Sequence, residues 1–275
     1  MLSNIPKVRT IAAHHITDTG QWRLTVDISE EAMGAWLRRN DIADDPMYTL
    51  ATARLEGDDR LRAIENAVYD HPAVLDDYEA DIVVTTARYM FIPFELADDD
   101  GLCVKAFSTV FGDTASEDIM TDTVGEYAVL YMAVPGLRQF LARTFAGSRV
   151  ACHATTLLSH WQRAAKAGLC LFADIRGGYA DMALFRDCHL IASSRRHCQD
   201  TADAAYYMLN TCHAAGADVE LRQVAAYVSG EADAVEAVRS MTGEYVAEMA
   251  VVPMPAEEDA PPADVICSYR NNRQP

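Results

Sequence analysis

No stretch of this chain is apolar for long enough to cross a membrane as a helix, which takes roughly 18 consecutive apolar residues. The start, MLSNIPKVRTIAAHH, also lacks the apolar core of a secretory leader. Both absences point to a soluble, cytoplasmic protein with no membrane insertion. C-x-x-C spacing is missing too. The seven cysteines, at 103, 152, 170, 188, 198, 212 and 267, are odd in number and suggest neither a disulfide framework nor a zinc ribbon; they fit a reducing compartment. Positive charge is scarce, with 23 Lys and Arg against 41 Asp and Glu, a formal net charge of -18. The resulting field repels phosphodiester backbones, and the densest basic groups, Arg38-Arg39 and Arg195-Arg196-His197, are too short to act as nucleic-acid arms. No nucleic-acid partner is expected. No Gly-x-Ser-x-Gly motif occurs, and His153 and His160 have no acid partner that the sequence can place, so a hydrolase triad is not expected either.

What is present reads as alternating strands and helices. WRLTVDIS and MGAWLRR within residues 22–39 are two strands joined by an acidic turn, and MYTLATARL at 47–55 supplies a third. A helical pattern over 58–70 follows, then a strand over 82–93, helices near 101–111 and 136–146, and an apolar strand at 126–134 between them. Residues 150–153 read as a linking strand and 154–167 as a helix. Three short strands at 169–174, 180–185 and 190–194 form a second meander, followed by a helix at 201–215, a strand at 224–230, a helix at 231–241 and a strand at 245–252. The order βββαβαβ is thus expected in both halves, although no residue-by-residue repeat relates them. The domains expected are 1–147 and 148–252, and the Pro-rich acidic end, 253–275, reads as a flexible tail.

LCLFADIRGGYADMALF at 169–185 and AAYVSGEADAVEAV at 225–238 stand in the order and spacing of two signatures of actin-like ATPases. In those proteins an Asp-x-Gly-Gly-Gly-Thr-x-Asp hairpin wraps phosphate, and a later Gly-Gly turn meets adenosine. YMFIPFEL at 89–96, EYAVLYMAVPGL at 126–137 and the segment 150–247 also resemble a bacterial family of uncharacterised proteins, domain of unknown function 3822. The resemblance implies a mixed α/β actin-like ATPase fold, two ribonuclease H-like domains around a cleft, and brings no established activity.

Carried onto these positions, Asp174, Gly177, Gly178 and Asp181 match the phosphate hairpin, while Arg176 replaces its first glycine and Tyr179 its small hydroxyl residue. Gly230 matches the adenosine turn, where Glu231 replaces the second glycine. In the first half Asp27 falls where a metal-positioning carboxylate would stand, but the turn is Ser29-Glu30-Glu31, with no glycine and two acids. Two like unit charges about 5 Å apart at an effective dielectric near 20 repel by roughly 3 kcal/mol, enough to offset much of a micromolar nucleotide affinity. The favoured expectation is a degenerate pseudo-ATPase that keeps the fold as a scaffold for a protein partner, with no resident cofactor or metal. The alternative is a working ATPase or phosphotransferase that uses ATP with Mg²⁺ through Asp27, Asp174 and Asp181. A plainer reading of Asp174, Asp181 and Gly177-Gly178, as a strand end and its turn, also stands.

Cys188-His189, His197-Cys198 and Cys212-His213 resemble metal-ligand pairs, but neighbours along a strand point to opposite faces, so the six do not converge on a zinc ion by spacing alone.

Overall fold

The computed structural model describes residues 8–40, 42, 46–216, 220–252, 261–263 and 265–267. The chain divides into two compact units between Leu157 and Leu158, and the described C-terminal residues belong with the first of them. That division falls inside a helix, not at 147/148 where the loop after Ala146-Gly147 suggested it.

In the N-terminal unit the chain runs through β1 (Val8–Thr10), β2 (Trp22–Ile28), β3 (Ala32–Arg39), β4 (Met47–Arg54), α1 (Arg60–Tyr69) and β5 (Glu79–Val84). The strand-forming residues of β2 and β3 pair antiparallel around a two-residue turn, β3 continues to β4, and β2 takes β5 as a parallel neighbour. The helix starts where Asp59 accepts the Arg62 N–H at 3.1 Å, one of the orphan donors of a first turn. The chain then leaves this sheet. β6 (Tyr89–Pro93), α2 (Asp100–Phe111), β7 (Met120–Val124), β8 (Tyr127–Tyr131) and α3 (Leu137–Thr144) intervene before β9 (Arg149–Cys152) returns to lie parallel to β5. The main sheet has the order β1-β4-β3-β2-β5-β9, and β6-β8-β7 form a separate antiparallel sheet with its own core of Ile92, Phe107, Ile119, Ala128 and Leu130.

This corrects two expectations. The apolar run 82–93 is two strands in two sheets, because Thr86 breaks the ladder: its hydroxyl accepts the Arg88 N–H and donates to the Met132 carbonyl. The strand within 126–134 belongs to the inserted sheet, and the linking strand at 149–152 is the one that completes the main sheet.

α4 (His153–Ala164) follows, and the C-terminal unit continues with β10 (Leu169–Arg176), β11 (Tyr179–Arg186), β12 (His189–His197), α5 (Thr201–Ala214), β13 (Val224–Gly230), α6 (Ala232–Thr242) and β14 (Glu248–Val251). The sheet order is β12-β11-β10-β13-β14. Numbered within the motif, this is third-second-first-fourth-fifth, the same as β4-β3-β2-β5-β9. β10 is buried on both faces, as a central strand with parallel and antiparallel neighbours should be. One face presents Leu169, Leu171, Ala173 and Ile175 to Met208 and Cys212 of α5 and Val235 and Val238 of α6. On the other, Phe172 stacks between Trp161 and Tyr227, with ring centroids 5.9 and 4.9 Å away.

Near the end of the chain, Ala263 and Val265–Cys267 are helical and buried with the N-terminal unit. Their apolar side chains account for the difference from the tail expected at 253–275, whose remaining residues lie outside those described except Pro261 and Pro262. No described helix is long and apolar enough to cross a membrane.

Candidate functional site

The pairing register of the C-terminal sheet draws four polar residues into one row. Asp174 on β10 is the partner of Asp181 on β11 and of Ser229 on β13, and Asp181 is in turn the partner of Arg195 on β12. Two carboxylates side by side on neighbouring strands repel. Each has been given its own cation. Arg176, two residues along β10, donates from Nε to Asp174 Oδ2 at 2.8 Å and from a terminal nitrogen to Oδ1 at 3.2 Å. The Ser229 hydroxyl adds a third bond to Oδ1 at 2.7 Å. Arg195 donates to Asp181 Oδ2, and its guanidinium lies 4.3 Å from the Tyr179 ring centroid. Asp174 is 3% exposed and Asp181 8%, so these are buried pairs whose partners repay part of the cost of removing charge from water.

The turn beyond this row keeps its glycines for a geometric reason. Gly177 and Gly178 both lie in the left-handed region, φ 57° and 71°, which is what a two-residue hairpin turn with the native twist requires. Gly230 ends β13 with φ 130°, and a Cβ there would stand 1.9 Å from the Ile175 carbonyl oxygen, so only glycine allows β13 to approach β10 so closely. Glu231, the next residue, grips the hairpin from both sides. Its N–H donates to the Ile175 carbonyl at 2.9 Å, and its carboxylate accepts the Gly177 N–H at 2.8 Å. A backbone N–H that could face a phosphate oxygen is therefore bonded to an internal carboxylate.

The first-half residues occupy a differently built hairpin. Asp27 on β2 is half-buried and accepts the Thr85 hydroxyl at 2.6 Å. Its cross-strand partner is Gly34, over which the Trp36 indole folds; a Cβ at Gly34 would meet the ring at 2.1 Å. Ser29 closes the turn, its Oγ accepting the Glu31 and Ala32 N–H groups at 3.2 and 2.9 Å. Glu30 and Glu31 are exposed at the tip, and none of Ser29–Ala32 has a positive φ.

Residues 40–249 match the family described as "Protein of unknown function (DUF3822)". The chain belongs to that family. Among solved structures, a protein of Bacteroides thetaiotaomicron VPI-5482 described as having an actin-like ATPase fold and unknown function is similar with a TM-score of 0.76 and 15% identity, covering 93% of this chain and 98% of that one. The cytoplasmic domain of EpsL, an inner membrane component of the type II secretion system of Vibrio cholerae, gives a TM-score of 0.49 and 12% identity over 92% of this chain and 96% of that one. The ethanolamine utilization protein EutJ from Carboxydothermus hydrogenoformans gives 0.40 and 10% over 90% and 89%. No curated protein matches the sequence. This member of the family has the actin-like ATPase fold, with mixed α/β sheets.

Sequence reading named Asp174, Arg176, Gly177, Gly178, Asp181, Gly230 and Glu231 in this DUF3822 protein, and the fold brings all seven to one end of the C-terminal sheet. It missed Ser229 and Arg195. Counting outward from the Gly177-Gly178 turn along alternating residues finds the Asp174–Asp181 pair, but Arg195 requires the register of β12, which shifts at an irregularity near Leu184/Phe185. Cys188-His189, one of the metal-like pairs, marks a second tight turn. Asp187 and Cys188 take φ 50° and 67°, and that strained corner is held by Gly168 N–H on Asp187 Oδ1 at 2.9 Å and by Gln162 on the Cys188 carbonyl at 3.1 Å.

Proposed function

We propose that the chain is a cytoplasmic pseudo-ATPase: an actin-like scaffold that has given up nucleotide turnover and serves by binding a protein partner. One observation carries this reading. Both carboxylates of the second hairpin and the first N–H of its turn already have internal partners: Asp174 holds Arg176 and Ser229, Asp181 holds Arg195, and the Gly177 N–H donates to Glu231. A hydrated Mg²⁺ at Asp174 has to displace a guanidinium from a buried carboxylate. Leaving such a pair half-broken costs about 3 kcal/mol, roughly two powers of ten in affinity.

Scaffold function is supported by what the unused chemistry leaves intact, the same five-strand sheet order in each unit, and by the exposed apolar side chains of Phe94, Leu96, Leu102 and Val110 along the inserted segment. Phosphate release from Mg-ATP is the test of the enzymatic half. Wild-type protein is expected to release no more phosphate than the Asp174→Asn variant at equal concentration; turnover that disappears in the variant overturns the proposal in favour of an ATPase or phosphotransferase.

A further inference from the structure

A cavity of about 650 Å³ lies inside the N-terminal unit, bounded by α2, β7, β8, α3 and the start of β9. That volume is in the range of small-molecule sites. Apolar walls come from Val104, Ile119, Met120, Leu141, Phe145 and Val150. Tyr131 of β8 also lines it. This residue is 1% exposed, and its hydroxyl has no hydrogen-bond partner among the described residues. Its oxygen is not one of the fully buried polar atoms that lack a partner, so it faces the cavity rather than the packed core. Burial, and then the neighbouring Cys152 and Asp122, push the Tyr131 phenol well above its usual range, while Arg138 and Arg149 oppose the shift less strongly. The group is therefore a proton donor at every pH where the protein is handled.

Arg138 stands on the same cavity. It spends one N–H on the Ile119 carbonyl at 3.0 Å, out of the five donors of a guanidinium. The exposed carboxylates Asp100 and Glu117 also belong to the lining, in contact with solvent that screens them. A guanidinium offers only donors and a protonated phenol can donate beside it, so a group that accepts from both complements the pair, and the cation favours one that is negatively charged. We propose that this cavity binds a small monocarboxylate with an apolar body, its carboxylate accepting from the Tyr131 O–H and Arg138, and its body resting on Ile119, Met120, Leu141 and Phe145.

Calorimetric titration of the full chain with butyrate, octanoate and 3-phenylpropionate tests this, with octanamide as the uncharged comparison. At least one of the three acids is expected to bind saturably at one site per chain. Its affinity should fall about tenfold in Tyr131→Phe and in Arg138→Gln, and octanamide should bind more weakly than octanoate. Tyr131→Phe removes an unpartnered hydroxyl without changing packing, so the unliganded variant should melt no lower than wild type, which keeps the comparison interpretable. Absence of saturable binding by all three acids at millimolar concentration overturns the proposal. So does an affinity that is unchanged in both variants.

Discussion

The two halves of this protein build the same five-strand order and then treat the same register position in opposite ways. Asp27 and Asp174 are equivalent: each lies on the first strand of its meander, with an antiparallel partner on the second and a parallel partner on the fourth. Around Asp174 the row reads Arg195, Asp181, Asp174, Ser229. Around Asp27 it reads Thr52, Gly34, Asp27, Val83. One row is charged and saturated with its own ion pairs; the other carries a single acid, a glycine covered by tryptophan and an apolar neighbour. Two residues beyond each aspartate the contrast repeats, since Arg176 folds back onto Asp174 while Ser29 turns outward to cap its own hairpin. The fold therefore fixes where an acid stands, and the neighbouring side chains decide whether it is available for chemistry.

The sharpest way to break the comparison is at the strand end. Gly230 and Val84 are equivalent, paired to Ile175 and Ile28 respectively. Val84 carries a buried side chain, whereas Gly230→Ala drives a methyl into the Ile175 carbonyl and is expected to cost about 3 kcal/mol or more, read as a large fall in urea midpoint. Next in size is the row itself. Arg195→Ala strands the carboxylate of Asp181 and should cost about 3 kcal/mol, against about 0.5 kcal/mol for Thr52→Ala at the equivalent place. A cost below 1 kcal/mol for Arg195→Ala, on the scale of a surface pair, would mean that the row is solvated rather than saturated.

The turns should differ less. Gly177→Ala, at φ 57°, is expected to lose about 1 kcal/mol, while Glu30→Ala at the other tip should fall within about 0.5 kcal/mol of wild type by the same denaturation measurement. The smallest effect concerns the core beneath the charged row. Burial pushes the Cys212 thiol of α5 up to about 11 from an ordinary value near 9. A folded-state pKa raised in this way contributes stability that is complete below about 9 and is lost as pH rises through 11. Cys212→Ser should therefore show a flatter loss of stability between those values than the wild-type protein.

Much of the C-terminal unit was legible in the sequence because its signals are local. Gly177-Gly178 between two apolar runs marks a hairpin, and alternation places Asp174 and Asp181 on one face. The N-terminal unit was harder to read for a physical reason: residues 89–144 form an insertion with its own sheet and core, and apolar periodicity does not say which sheet a strand joins. At the site, the carboxylates and glycines could be named from spacing, yet their availability could not. Arg195 reaches Asp181 only through the shifted register of β12, and Glu231 reaches Gly177 across 54 residues of chain. Glu231, which replaces the second glycine of the adenosine turn, is the acid bonded to the phosphate-type turn.

Calorimetric titration of Mg-ATP into the wild-type protein, beside Arg176→Gly/Glu231→Gly, tests the central claim most directly. The account predicts no saturable heat for wild type at millimolar nucleotide, because the second hairpin is closed by its own side chains. Micromolar binding by wild type that is lost in Asp174→Asn would contradict it.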